Sequence, residues 1–140
     1  MNLPERPIYS NASQMLGMTI TAADPGAGRI EAEFTAVERF LNFTGSIHGG
    51  ILVAMLDDLM GYALGITLPA GRFAATGNLN ASFLRPAPVG SLRGKGEILK
   101  QDGDVWHLAA KLYSDTGDLV AAATAKSKLL PGQYPPAGQS

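Results

Sequence analysis

The 140-residue chain contains no cysteine. Disulfides, a thiolate nucleophile and zinc–thiolate sites are therefore excluded. The absence also suits a reducing compartment, so a cytoplasmic location is expected. There is no excess of charge of either sign. Eleven Lys and Arg stand against twelve Asp and Glu, for a net charge of −1. That balance offers no electrostatic footprint for a nucleic-acid partner. No apolar run reaches the roughly 18–20 residues of a membrane span; the best candidate is interrupted by Asp57 and Asp58. No membrane partner is expected. The opening MNLPERPIYS carries Pro4, Glu5 and Pro7 where a secretory leader needs an apolar stretch.

What is present reads as one folded domain over 1–140, with its core at about 15–130. The apolar fraction is 46% and the charged fraction 16%, a balance that sustains a buried core. The first residues and the Pro/Gly-rich end (Pro131, Gly132, Pro135, Pro136, Gly138) read as loose ends. Asn11 to Leu16 can form a short helix. Thr19 to Ala23 is β-like, and DPGAG (24–28) is a turn. Arg29 to Phe34 alternates polar and apolar residues, the mark of a half-buried strand.

A long helix is predicted from Ile47 to about Ile66, because good helix formers run unbroken until Leu68-Pro69. Its apolar residues fall on nearly all sides, so it is expected to be buried all round. Strand-like runs follow at Phe73–Leu84, Ser91–Lys100, Val105–Tyr113 and Leu119–Leu130. QDGD and SDTGD separate the last three, as turns do in hairpins. One apolar helix against a hairpin-built sheet is an α+β fold with antiparallel strands.

Two features of the helix call for explanation. Gly49 and Gly50 each cost about 1 kcal/mol relative to alanine inside a helix. At a helix start they fit either plain capping and a tight turn, or a ligand coming close to the backbone. The unpaired N–H groups and partial positive charge of a first helical turn suit an oxyanion. Asp57 and Asp58 are the second feature. A carboxylate among apolar residues must be paired, hydrogen-bonded or near solvent. Asp57 is assigned to chemistry. Asp58, offset by about 100° around the helix, is read as a satisfied structural carboxylate facing a helix cap, a subunit contact or solvent.

The stretch Asn42, Gly45, His48-Gly49-Gly50, with an acid nine places after the histidine at Asp57, resembles the hotdog-fold thioesterases. It is most similar to small acyl-CoA thioesterases of the phenylacetate-degradation (PaaI-like) type. ATGNLNASFLRPAPVG (75–90), with Asn80, Phe83 and Arg85-Pro86, is similar to the strand that follows the helix in that family. The resemblance spans about 15–130. It implies a long helix wrapped by a curved antiparallel sheet, and hydrolysis of an acyl-CoA to the acid and free CoA. CoA is then part of the substrate; no cofactor and no metal are implied. Asp57 would act on the water or on the acyl carbon, and the Gly49 N–H would polarise the carbonyl. Asn42 and His48 would place carbonyl and water. Thr76 falls near a position where a hydroxyl assists the acid. Gly50, Asn80 and Arg85 are the expected substrate contacts.

Gly49 and Asp57 are eight residues apart, about 12 Å along a straight helix. Reacting atoms must approach to about 3–3.5 Å, so one thioester carbon cannot meet both in one chain. The spacing predicts a homodimer with two sites between chains, and the resemblance adds a dimer of dimers. His48 has no second histidine or thiol beside it, which favours orientation over metal binding or a triad. His107, in VWHL, is read as an ordinary strand histidine. Arg93, Lys95 and Lys100 read as solvated strand charges, with Arg85 the stronger candidate for the phosphates of CoA. Gly94 and Gly96 suggest a bulge or bend. Met55, Leu59, Met60, Tyr62 and Phe83 are candidates to shape an acyl pocket for an aryl or medium alkyl group. Two other readings compete. A dehydratase or hydratase of the same fold would hydrate an enoyl-CoA without releasing CoA. A non-catalytic acyl-CoA sensor would bind without turnover.

Overall fold

Alternation builds the sheet. β2 (Arg29–Ala36) buries Ile30, Ala32, Phe34 and Ala36 on one side and turns Arg29, Glu33 and Thr35 to solvent. β5 (Val105–Tyr113) and β6 (Leu119–Leu129) repeat the pattern with Leu108, Ala110 and Leu112, and with Ala121, Ala123 and Ala125. The other strands are β1 (Thr19–Asp24), β3 (Ala74–Phe83) and β4 (Gly90–Asp102). The computed structural model describes residues 9–134. The expected loose ends fall largely on 1–8 and 135–140, outside the described residues.

The six strands form one antiparallel sheet in the order β1-β2-β4-β5-β6-β3. A short helix α1 (Asn11–Met15) precedes β1, and a 3-10 turn (Glu38–Phe40) links β2 to the long helix α2 (Gly49–Gly65). The α+β, antiparallel expectation holds, and strand ends agree within two residues. The helix starts two residues later than expected, because His48 serves as its N-cap.

α2 is not buried all round. Leu52, Met55, Leu56, Leu59, Met60, Ala63 and Leu64 face the sheet, whereas Gly50, Gly61 and Gly65 lie in solvent and Val53, Ala54 and Asp57 are half-buried. The helix packs most closely on β4. There a Cβ on Gly96 would overlap the Leu59 carbonyl, and one on Gly94 the Leu59 side chain. These glycines thus admit the helix backbone. The expected bulge lies elsewhere, at Leu99, where the β4–β5 register slips.

Candidate active site

The turn before α2 is ordered by one side chain. Asn42 Oδ1 accepts from Thr44 N–H (2.9 Å), Thr44 Oγ1 (2.8 Å) and Ser46 N–H (3.1 Å). Asn42 N–H donates to Ser46 O and Gly45 N–H to Asn42 O, with Gly45 at φ 82° as such a turn needs. These bonds settle the amide orientation. Nδ2 is left as a donor with no acceptor among the described residues.

His48 follows as the N-cap. Its Nδ1 accepts from the Gly50 N–H at 2.9 Å. That bond makes Nδ1 the unprotonated nitrogen and Nε2 the N–H donor of the neutral ring. Gly50 is thereby occupied. The Gly49 N–H has no acceptor among the described residues. Phe83 lies over Gly49, so close that a Cβ there would be 3.3 Å from the ring. Asn42, Thr44, Gly49, Phe83 and Arg85 line an open groove of about 350 Å³. Two free donors, from Gly49 and Asn42, therefore sit at one groove beside a helix N-terminus. Donors so placed can stabilise an oxyanion.

Asp57 lies two turns further along α2. Thr76 Oγ1 donates to Asp57 Oδ1 at 2.8 Å, across from helix to edge strand. Thr76 reaches the helix side because Gly77 is an extra residue in β3, where the β3–β6 register shifts between Thr76 and Asn78. Asp57 is half-buried, and its Oδ2 has no donor among the described residues. An oriented carboxylate with a free oxygen can take a proton from water.

The neighbouring acid has another employment. Asp58 Oδ2 accepts from Ser13 Oγ at 2.7 Å, and Ser13 is fully buried. Tyr62 O–H donates to Ser13 Oγ at 3.1 Å, and the Ser10 N–H donates to Tyr62 Oη at 3.0 Å. Burial holds the Asp58 carboxyl above the usual carboxylate range, the Ser13 bond opposes that shift, and the charge of Asp57 adds to it. Asp58 thus ties α2 to the cap of α1, as a structural carboxylate. Sequence reasoning missed the partners Ser13 and Tyr62. Nothing local in the sequence links Ser13 to a residue 45 positions away.

Other candidates are placed less centrally. Met55, Leu59 and Met60 are sealed in the core, at most 1% exposed, so they shape no acyl pocket in this chain. Tyr62 belongs to the Asp58 network; of the five pocket candidates, Phe83 reaches the groove. Asn80 lies on the outer face of β3, opposite the helix, where its Nδ2 donates to Asn78 Oδ1 at 3.2 Å. Arg85 touches the Leu119 carbonyl at 3.3 Å and makes no ion pair among the described residues. Arg93, Lys95 and Lys100 pair with Glu33, Glu31 and Asp102. His107 is half-buried beside Asp102, at 3.1 Å. A larger groove, about 680 Å³, lies on the outer sheet face between Glu31, Glu33, Arg93, Lys95 and Tyr113. Arg93 and Lys95 there already have partners and the groove holds neither free donor nor Asp57, so the smaller groove at Gly49 is the better candidate.

Residues 44–121, more than half of the chain, match the family model described as thioesterase superfamily. The chain belongs to the thioesterase superfamily. A phenylacetic acid degradation-related protein of Ralstonia eutropha JMP134, assigned as a thioesterase, is 40% identical over 89% of this chain and 92% of that one, with TM-score 0.83. The E. coli PaaI protein of the phenylacetic acid degradation operon is 24% identical over 88% and 86%, with TM-score 0.79. A Bacillus halodurans protein solved with CoA is 26% identical over 92% and 84%, with TM-score 0.80. No curated protein matches. The chain is thus a PaaI-like hotdog thioesterase, a thioester hydrolase. Among the described residues no helix is long and apolar enough to cross a membrane.

Proposed function

We propose that this thioesterase hydrolyses acyl-CoA thioesters carrying an aryl or short- to medium-chain acyl group, at a site shared by two copies of the chain. The observation that carries the reading is a division of labour along α2. The free donors, Gly49 N–H and Asn42 Nδ2, stand at its start, and the oriented carboxylate, Asp57 with Thr76, stands two turns on. A helix rise of about 12 Å keeps these halves apart within one chain.

The edge strand supports a second copy. Among the described residues β3 pairs only with β6, and its sequence AATGNLNASF has no charge and no proline to blunt the free edge. Gly61 lies inside the helix, where glycine costs about 1 kcal/mol, yet a Cβ placed on it would meet nothing within 4 Å. Close approach from outside the chain gives both features a reason. Two identical antiparallel strands related by a two-fold axis pair symmetrically about one point. Because Gly77 is an extra residue, Thr76 and Phe83 are six pairing positions apart, and their midpoint is Asn80. A two-fold axis there puts Thr76 and Asp57 of one chain beside Phe83 and Gly49 of the other.

In that site the thioester carbonyl accepts from Gly49 N–H and Asn42 Nδ2. Asp57 takes a proton from water as its oxygen attacks the carbonyl carbon. The tetrahedral oxyanion collapses, the C–S bond breaks, the acid departs, and the CoA sulfur takes up the proton. Thr76 holds the carboxylate, His48 caps the helix that presents Gly49, and Arg85 is the groove's cation for a CoA phosphate. The Bacillus halodurans relative bound to CoA supports that substrate class. The proposal extends to a cytoplasmic dimer of dimers. The test follows free thiol from a panel of aryl- and alkyl-CoAs, with no cysteine to add background. Release by the native chain and its loss in Asp57→Asn are expected. Binding of the CoAs without release would overturn the proposal.

A further inference from the structure

Phe43 is wholly exposed, although it sits in a turn held by three hydrogen bonds to one side-chain oxygen. The bridge Leu41–Ile47 closes that turn at its base, and the three bonds to Asn42 Oδ1 brace it within. A bulky aromatic at the tip of a stiff turn is costly to hydrate and cannot fold back onto its own chain. Its neighbours Asn42 and Thr44 line the Gly49 groove, whereas Phe43 leaves it. The ring is therefore presented outward from the same turn that supplies the Asn42 donor.

We infer that Phe43 sets acyl-group selectivity in trans, closing the acyl end of the site over the partner's Asp57. The inference rests on the two-chain reading above. With the two-fold axis at Asn80, the groove of one chain faces the Asp57–Thr76 pair of the other. The turn at the groove's rim then projects toward that chain's half-exposed helix face. Val53 and Ala54 are half-buried there and Gly61 is open, leaving room for an aromatic ring. The ligand class is an acyl group with an apolar body that packs on the ring, an aryl group above all, since two aromatic faces add to plain burial.

The test uses mixed dimers with one working site. One chain carries Asp57→Asn, so the surviving site combines its turn with Asp57 of the other chain. Phe43→Ala is placed either on the Asp57→Asn chain or on its partner. Selectivity is the ratio of kcat/KM for an aryl-CoA to that for acetyl-CoA. Placed on the Asp57→Asn chain, Phe43→Ala should lower this ratio about tenfold. Placed on the other chain, it should leave the ratio at the native value. No change in either dimer overturns the role of Phe43 while leaving the shared site standing. The opposite pattern is what a site within one chain gives, and it overturns the shared site and this inference with it. Sedimentation of the Phe43→Ala homodimer separates lost selectivity from lost assembly.

Discussion

Thr76 Oγ1 lies 2.8 Å from Asp57 Oδ1 and donates to it, joining the edge strand to a helical acid whose other oxygen has no donor among the described residues. A donor on one oxygen fixes the carboxylate and leaves the other for water. Thr76→Ala should lower kcat by about 10- to 100-fold, the worth of a hydrogen bond to a charged group of about 1.5–3 kcal/mol. Thr76→Ser should restore most of it. Steady-state kinetics on the best CoA substrate decides this. A Thr76→Ala enzyme with native kcat would remove Thr76 from the site.

Asp57→Asn keeps size and polarity but not the base. Loss of kcat by about 10²–10⁴-fold is expected, with KM little changed. Single-turnover reaction in ¹⁸O water refines the test. Base catalysis labels the product acid and leaves the protein unlabelled. Label in Asp57, read by peptide mass, would mean attack by the carboxylate itself.

Asn42 performs two tasks with opposite ends of one amide. Asn42→Asp retains the acceptor for Thr44 and Ser46 but loses the Nδ2 donor. The fold should survive, as circular dichroism would report, while kcat/KM falls about 10²–10³-fold, the usual worth of one oxyanion donor. Near-native activity would assign Asn42 to the turn alone.

Asp58 makes a stability prediction with a definite sign. Its carboxyl is raised in the folded chain, so the folded state binds the proton more tightly than the unfolded one. Its contribution is fully present below the unfolded value, near 3.8, and is lost as pH rises through the raised folded value. Asp58→Asn keeps an acceptor for Ser13 and carries no charge to bury. Its Tm should exceed the native Tm at pH 7, with the gap closing below about pH 4. Thermal melts across pH check this; a gap that widens toward acid would contradict it.

Particular residues explain how far the sequence could be read. Alternation at Arg29–Phe34 and the Asp-Gly turn at 102–103 are local signals, so strands and hairpins were legible to within two residues. The order of Asn42, His48-Gly49-Gly50 and Asp57 led to the family. The buried face of α2 was not legible. Apolar residues surround the helix, and which of them meet the sheet depends on β4 admitting Leu59 at Gly94 and Gly96. Met55, Leu59 and Met60 consequently looked like pocket residues and proved to be core. The Ser13–Asp58 bond joins segments far apart in sequence, and Gly77 turns Thr76 toward the helix through a bulge that strand alternation alone does not reveal.

The shared site is tested most directly by complementation. Asp57→Asn and Asn42→Ala are each prepared as inactive homodimers, then co-expressed under two tags and purified as the mixed dimer. The account predicts recovery of up to about half the native activity, because one of two sites regains both halves. A verified mixed dimer as inactive as its parents would show that Asn42 and Asp57 act within one chain, and would contradict the account.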